Sequence, residues 1–335
     1  MRGNFTRWAG SRKPYLLELF YAQNLLGSGS AKKWVLLANS EDPTMMRNML
    51  ASKLGAWMGM TETPDMRFVE LEINKRYQGV YVLAEKVELA PYRVEAPEGT
   101  VLMEADFRRD DSYFFSLQQG VDVVIKQPKA EKLETAHLAA VQRFVEQADA
   151  AVYQNTENWL QYFDADALVC WFLAEEILKN LDAAMKTSVF FCVVPSSDPL
   201  AYKIRMGPIW DFDHMNRNPD PEQPATGWAT TVLNYQEFKE EPEDILRGWY
   251  SVLTQRNDFM NLVKAKYSAM AQQGVWDQMD AWITSFSKEL ELAQQANYAA
   301  WPDDLQSKPW EAHVQALRDF FYQRRQWLDE QLLPG

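Results

Sequence analysis

Three aspartates in turn-like positions are the residues of this sequence best suited to chemistry. Asp182 follows a predicted helix, and Asp211 and Asp213 follow a predicted hairpin in the segment Gly-Pro-Ile-Trp-Asp-Phe-Asp at residues 207–213. A carboxylate in a loop can accept a proton from a hydroxyl nucleophile, and carboxylate oxygens are the ligands that hard cations prefer. Asp is also a common turn former, so a purely structural role stays open at this point.

The composition favours one large folded unit or two subdomains and excludes several classes of protein. Of the 335 residues, 47% are hydrophobic and 13% aromatic, enough to bury a sizeable core. The formal net charge is -13, from 34 basic and 47 acidic residues, so no basic stripe is available for nucleic acid or an anionic membrane. We therefore expect no nucleic-acid partner, and no apolar run predicts membrane insertion. The sequence does not predict the oligomeric state.

The first part of the chain is predicted to be rich in strands. Strand patterns lie at residues 13–19, 34–38, 68–83, 101–104 and 121–125. The third of these is predicted to be a hairpin that turns at Asn74 and Lys75. Ahead of it, Asp42 and Pro43 predict a helix start, with Asp as N-cap and Pro at the first helical position, and Gly59 predicts its end.

The second part is predicted to be mainly helical. Helical periodicity is present at residues 132–152, 166–179, 244–297 and 310–332. A hairpin at residues 188–206 interrupts these helices, and it carries the candidate site at its two ends. The resulting fold class is α+β, with a sheet-rich N-terminal lobe at residues 1–128 and a helical C-terminal lobe at residues 129–335.

The order of elements around the aspartates resembles that of protein kinases. A helix leads to a loop with Asp182, a hairpin follows, and Asp211-Phe212-Asp213 comes next. In kinases an Asp of the catalytic loop receives the proton of the substrate hydroxyl, and the Asp of an Asp-Phe-Gly segment holds Mg²⁺.

Motifs along nearly the whole chain resemble those of the CotH kinase family, the spore coat protein H-like atypical protein kinases. The motifs that carry the resemblance in the first part are Arg2-Gly3-Asn4, Lys13-Pro14-Tyr15, Trp34 to Asn39, Asp42-Pro43-Thr44, Arg47-Asn48, Phe68 to Leu71, Gly79-Val80-Tyr81 and Glu85-Lys86. Those in the second part are Asn180-Leu181-Asp182, Gly207 to Asp213, and Arg324 to Asp329. The resemblance implies a degenerate protein-kinase-like fold, with a helix beside the N-terminal sheet.

The resemblance also implies roles for individual residues. Asp182 stands where the family has its catalytic-loop Asp, and Asp211 stands at the metal-binding position, with Asp213 as a second ligand. Lys13 is the candidate for contacting the nucleotide phosphates, and Lys86 is the alternative. The implied ligands are ATP and Mg²⁺ or Mn²⁺, and the implied partner is a protein with a Ser or Thr acceptor.

Two departures from the kinase pattern concern the loop and the start of the sequence. Thr187 stands where kinases have the Asn that holds a second Mg²⁺, and its neighbour Lys186 is a candidate for neutralising phosphate charge. The family has strands and often an export signal before Arg-Gly-Asn. We therefore expect an exported protein whose signal precedes the given sequence, with a cytoplasmic protein without a glycine-rich phosphate cover as the alternative.

Three functions are compatible with these residues. The first is phosphoryl transfer from ATP to a protein hydroxyl, with Asp182 as base and Asp211 as metal ligand. The second is a non-catalytic, pseudokinase-like scaffold of a cell surface or coat, which the missing Asn favours. The third is a hydrolase that pairs Asp182 with Asp211 or Asp213 as acid and base, which requires a defined separation of the carboxyl groups.

Overall fold

The strand patterns of the first part form one antiparallel sheet. A computed structural model describes residues 11–25, 27, 29–60, 62–109, 111, 113–118, 120–154, 156–180, 185, 187–197, 199–213, 215, 225–229, 248–306 and 308–334. The strands of the first sheet are β1 (Tyr15–Gln23), β2 (Ala31–Leu37), β3 (Met66–Ile73) and β4 (Arg76–Glu85). They lie in the order β1-β2-β4-β3, and every neighbouring pair is antiparallel.

The two hairpins of this sheet follow from their turn residues. Asn74 and Lys75, between β3 and β4, have φ angles of 52° and 62°, which is the two-residue turn geometry that matches the twist of antiparallel strands. The predicted hairpin is confirmed. The connection between β1 and β2 contains Gly27 and Gly29, with φ angles of 88° and 139°. A glycine-bearing turn is therefore present at the edge of the sheet.

Helix α1 (Arg47–Trp57) begins at Arg47, so the prediction that it begins at Pro43 was wrong. Met45 has a φ angle of 64°, which an α-helix cannot contain, and the carboxylate of Asp42 is engaged in the preceding turn. Its Oδ1 accepts hydrogen bonds from the backbone N–H and the hydroxyl of Thr44, at 2.9 and 2.6 Å. The predicted end at Gly59 is confirmed, since this residue has a φ angle of 89° after the last helical turn.

A second antiparallel sheet carries the candidate site. Its strands are β5 (Val101–Ala105), β6 (Phe114–Ser116), β7 (Asp122–Gln127), β8 (Val189–Pro195) and β9 (Tyr202–Met206). They lie in the order β6-β7-β5-β8-β9, with the buried β5 at the centre and the predicted β8–β9 hairpin at one edge. Strands from both sides of residue 128 join this sheet, and a division into lobes at that residue stays a prediction.

The remaining elements are helical and complete the predicted α+β fold. The helices are α2 (Thr135–Tyr153), α3 (Ala165–Leu178), α4 (Trp249–Leu253), α5 (Asn257–Gln272), α6 (Val275–Glu289), α7 (Glu291–Ala300) and α8 (Trp310–Leu332). Asp164 caps α3, because its carboxylate accepts a hydrogen bond from the N–H of Ala167. Residues 168–178 of this helix are all buried, so it forms the centre of the helical part. Within the described ranges, no helix combines the length and apolar character needed to cross a membrane.

A buried ion pair connects the central helix to the C-terminal helix. Arg324 of α8 and Glu176 of α3 lie 2.7 Å apart, and both side chains are fully buried. Arg324 also donates hydrogen bonds to the carbonyl oxygens of Ala225 and Gly227, and the carboxylate of Glu176 accepts one from the N–H of Ala229. The pair therefore connects two helices and the segment at residues 225–229.

Replacing Arg324 by Met removes the guanidinium from the buried carboxylate of Glu176. We expect the free energy of unfolding to fall by about 3–5 kcal/mol, because one charge of the pair stays in the interior. Urea unfolding measures this loss.

The matched control is Arg325→Met, at the next position of α8. Arg325 pairs with Asp277 at the surface, where the two side chains are 44% and 82% exposed. We expect this variant to change the unfolding free energy by less than about 1 kcal/mol. Similar losses in both variants would contradict a special role for the buried pair.

Candidate functional site

The structure describes four of the six predicted site residues. Asp211, Asp213, Lys13 and Lys86 are among them, whereas the predicted catalytic residues Asp182 and Lys186 lie outside the described residues, as do residues 181, 183, 184 and 214. The geometry of the predicted catalytic loop is therefore taken from the residues that flank it, Asn180, Met185, Thr187 and Ser188.

Asp211 follows the β8–β9 hairpin and contacts the end of the predicted catalytic loop. Its φ angle is 70°, in the left-handed region that Asp and Asn tolerate better than most residues. Its Oδ2 accepts a hydrogen bond of 2.9 Å from Oγ of Ser188, the residue directly before β8. The structure thus joins the loop that contains Asp182 to the predicted metal ligand.

Asp213 lies two residues further along the chain and is buried among other residues of the protein. The residue is 8% exposed, and its backbone carbonyl accepts a hydrogen bond of 2.8 Å from Nη1 of Arg47 in α1. Phe212, between the two aspartates, is buried and donates its N–H to Oδ1 of Asn48 at 2.8 Å. Helix α1 therefore contacts residues 211–213, the acid segment, through its first two residues, Arg47 and Asn48.

The hydroxyl of Thr187 is bound to a second acid that the sequence did not single out. Oγ1 of Thr187 donates to Oδ1 of Asp106 at 3.2 Å, and Asp106 is buried at the exit of β5. The two consecutive loop residues Thr187 and Ser188 are thus hydrogen-bonded to acids at the ends of two strands, β5 and β9. Thr187, at the position of the kinase Asn, serves here as a donor to a carboxylate.

A buried carboxylate with a shifted pKa lies close to these acids. Burial raises the pKa of Glu104 to about 7, and the nearby charges of Asp106 and Asp211 add to the effect, whereas Lys126 opposes it. Nζ of Lys126 is 2.8 Å from Glu104 and 3.0 Å from Asp111. Burial lowers the pKa of this lysine, but the two carboxylates outweigh burial and its pKa lies above the ordinary value. Lys126 is therefore a cation throughout the neutral range, while Glu104 titrates within it.

The two lysines predicted to contact nucleotide phosphates belong to the other sheet. Lys13 lies two residues before β1, and its carbonyl accepts a hydrogen bond from the hydroxyl of Tyr81. Lys86 directly follows β4, and its Nζ lies 3.3 Å from the carboxylate of Glu88. Asp211 and Asp213, by contrast, follow the second sheet. The phosphate-binding roles of both lysines stay predictions.

The oxygen donors of Asp211 and Asp213 fit a magnesium ion that is shared with phosphate. Within the described ranges, no three His, Cys, Asp or Glu side chains converge to hold a metal on their own. Mg²⁺ in nucleotide sites is usually held by one or two carboxylates, with phosphate oxygens and water completing its coordination. Two aspartates on one short segment match that requirement, and a complete protein cage is not required.

Sequence reasoning missed Glu104, Asp106 and Lys126, which the second sheet places beside Asp211. One signal was present, because the apolar run of β5 ends with the alternating acids Glu104 and Asp106. Acids at the exit of a fully buried strand are unusual for core packing, which makes them candidates for a site. The contact between Thr187 and Asp106 spans 81 residues of sequence and has no local pattern.

The raised pKa of Glu104 predicts a pH dependence of stability. A carboxyl group whose pKa is higher in the folded protein stabilises it fully below the unfolded value near 4.5, and this contribution is lost as the pH rises through about 7. We expect Glu104→Gln to become more stable relative to the wild type between pH 5 and pH 8, measured by urea unfolding. Lys126 keeps Asp111 as a partner in this variant.

The control for this experiment is Glu98→Gln, which changes an exposed carboxyl group. The difference in stability between this variant and the wild type should stay constant over the same pH range. A Glu104→Gln difference that is equally constant would show that Glu104 does not titrate with a raised pKa.

Comparison with known proteins supports the resemblance found in the motifs. A family model described as CotH kinase protein matches residues 1–328, nearly the whole chain. No curated protein matches the chain. The family match covers both sheets, the predicted catalytic loop, the acid segment and most of α8. The chain therefore belongs to the CotH kinase protein family, and this membership suggests a kinase-like function at the level of the family.

Proposed function

We propose that this protein transfers the γ-phosphoryl group of ATP to Ser or Thr hydroxyls of a protein substrate, with Mg²⁺ or Mn²⁺. The observation that carries the proposal is the hydrogen bond from Ser188 to Asp211. It joins Ser188, which follows Asp182 by six residues, to the candidate metal ligand, and this supports the assignment of the base and the metal ligand to one site. Family membership supports the same reaction class.

In this proposal each acid has one task. Asp182 accepts the proton of the acceptor hydroxyl while the hydroxyl oxygen forms a bond to the γ-phosphorus. ADP leaves with the electron pair of the broken bond between the γ-phosphorus and its bridging oxygen. Asp211 and Asp213 hold the metal. When bound, the metal neutralises charge on the phosphate oxygens and aligns them for in-line attack. Lys13, Lys86 and Lys186 are the candidates for further phosphate contacts.

The hydrogen bonds of Thr187 and Ser188 support this arrangement physically. They bind Thr187 and Ser188 to a buried acceptor on Asp106, after β5, and to a half-buried acceptor on Asp211, after β9. Catalysis of phosphoryl transfer depends mainly on positioning and electrostatic stabilisation. A loop that is bound at two points provides such positioning.

A second candidate function is a pseudokinase-like scaffold of a cell-surface or coat assembly. The observation that favours it is the engagement of the Thr187 hydroxyl with Asp106 at the position where kinases have a metal-binding Asn. A scaffold of this kind needs no nucleotide. Binding of ATP with metal therefore discriminates between the two functions.

Replacing Asp211 by Asn tests the enzymatic proposal with little effect on the fold. Asn tolerates the positive φ angle of this position and keeps an acceptor oxygen for Ser188, but it lacks the charge that holds a metal. We expect phosphate incorporation from labelled ATP into a generic Ser/Thr protein to fall by on the order of a hundredfold or more, because a metal ligand supplies several kcal/mol of charge stabilisation. Asp182→Asn should show a similar loss.

The matched control is Asp303→Asn, which changes an exposed acid in the short 3₁₀-helix Pro302–Leu305. It should leave both incorporation and thermal stability unchanged. Full activity of Asp211→Asn, or no transfer by the wild-type protein to any Ser/Thr protein with Mg²⁺ or Mn²⁺, would contradict the proposal.

Stabilisation by nucleotide provides an independent test that needs no acceptor protein. At a hundred times its dissociation constant, a ligand of the folded state adds about 2.7 kcal/mol to stability. We expect ATP with Mg²⁺ to raise the melting temperature of the wild type, and to raise it much less in Asp211→Asn. An unchanged melting temperature in the wild type would favour the scaffold.

A further inference from the structure

The first turn of α1 binds the backbone on both sides of the Phe212–Asp213 unit. Oδ1 of Asn48 accepts the N–H of Phe212, which belongs to the peptide bond that follows Asp211. Nη1 of Arg47 donates to the carbonyl oxygen of Asp213, which belongs to the peptide bond that follows Asp213. Both distances are 2.8 Å. The two bonds therefore fix the peptide planes directly after each predicted metal ligand.

The side chains that make these bonds are themselves held in place. Asn48 is 6% exposed and lies on the buried side of α1. The guanidinium of Arg47 is 3.4 Å from Oδ1 of Asp42, and its backbone N–H donates to Oδ2 of the same residue at 2.8 Å. The carboxylate of Asp42 is 1% exposed. Helix α1 therefore presents a fixed acceptor and a fixed donor to the acid segment.

The acid segment needs such support because its own backbone is not regular. Asp211 has a φ angle of 70°, and residues 207–212 belong to neither helix nor strand. The ring of Phe212 is buried, so its N–H requires an acceptor in the interior, where an unpaired donor costs about 1–3 kcal/mol. Asn48, which lies 164 residues earlier in the chain, supplies that acceptor.

We propose that Asn48 and Arg47 are positioning residues for the metal site of Asp211 and Asp213. They act through the backbone of the acid segment, and neither contacts the metal or the reacting atoms. The inference rests on the proposed function, because it assigns these side chains a role only if the aspartates hold a metal. Residues that orient metal ligands typically change metal affinity by about ten- to a hundredfold when they are replaced.

The experiment compares the wild type with Asn48→Leu, Asn48→Asp, Ser52→Ala and Asp211→Asn. Affinity for Mn²⁺ is measured by electron paramagnetic resonance on the full chain, first with Mn²⁺ alone and then with a non-hydrolysable ATP analogue present. Asn48→Leu removes the acceptor with little change in size, and we expect it to weaken Mn²⁺ binding by about ten- to a hundredfold. Asn48→Asp keeps an acceptor oxygen at a helix start that favours negative charge, and it should bind Mn²⁺ nearly as well as the wild type.

Ser52→Ala is the matched control for lost stability. Ser52 lies one turn further along α1, is buried, and donates a hydrogen bond to the carbonyl of Pro64, away from the acid segment. Its replacement also removes one buried hydrogen bond, so urea unfolding should show a loss of stability, while Mn²⁺ affinity should stay at the wild-type value. A loss of affinity in Ser52→Ala equal to that in Asn48→Leu would overturn the inference.

The remaining outcomes separate this inference from the proposed function. If the wild type binds Mn²⁺, Asp211→Asn does not, and Asn48→Leu binds Mn²⁺ as well as the wild type, the positioning role is wrong and the metal role stands. If the wild type binds Mn²⁺ neither alone nor with the ATP analogue, the metal role fails and the positioning role fails with it. If Asn48→Leu does not fold, Arg47→Met replaces it, because this side chain is 12% exposed and its loss removes the bond to the Asp213 carbonyl. Unchanged Mn²⁺ affinity in Arg47→Met would then overturn the inference.

Discussion

The hydrogen bond between Ser188 and Asp211 depends on the pairing of β8 with β9. In an antiparallel hairpin the residue before the first strand and the residues after the second strand lie at the same end. The pairing of Phe191 with Met206 sets this register, and the N–H of Gly207 continues it by donating to the carbonyl of Phe190. Ser188 and the segment that contains Asp211 are therefore brought to the same end of the hairpin by backbone geometry.

Elements outside the hairpin support the chain before β8 and the acid segment after β9. The central helix α3 is buried along residues 168–178 and leads directly to Asn180, and the ion pair of Glu176 and Arg324 connects it to α8. Helix α1 supports the other end through its contacts with Phe212 and Asp213. The electrostatics point in the same direction, because burial raises the pKa of Glu104 and the negative charges of Asp106 and Asp211 add to this effect. A bound cation would relieve this repulsion.

Much of the fold could be predicted from the sequence, because its signals are local. The turn at Asn74 and Lys75, the helix end at Gly59 and the span of α8 each depend on neighbouring residues, and the structure confirms them. The start of α1 was predicted wrongly because the local sequence signal at Asp42 and Pro43 was misleading. Asp42 accepts hydrogen bonds from the N–H groups of both Thr44 and Arg47, so a turn separates it from the helix. Nothing local showed that Met45 takes a left-handed conformation.

The site was predictable only in part. Asp182, Asp211 and Asp213 stood out because they follow a predicted helix and a predicted hairpin, and the family motifs suggested their individual roles. Asp182 and Lys186 lie outside the described residues. The contact of Asp106 with Thr187 was not predictable, because it joins residues beside two strands that only the folded sheet brings together. The support that Asn48 gives to the acid segment has the same origin. Long-range hydrogen bonds of this kind leave no periodic pattern in the sequence.

The most direct test of the account is the position of the metal itself. Anomalous diffraction from crystals grown with Mn²⁺ and a non-hydrolysable ATP analogue would locate it. The account predicts a peak about 2 Å from a carboxylate oxygen of Asp211, with the terminal phosphate between this ion and Asp182. A metal and nucleotide bound elsewhere, with Asp211 still engaged only by Ser188, would contradict it.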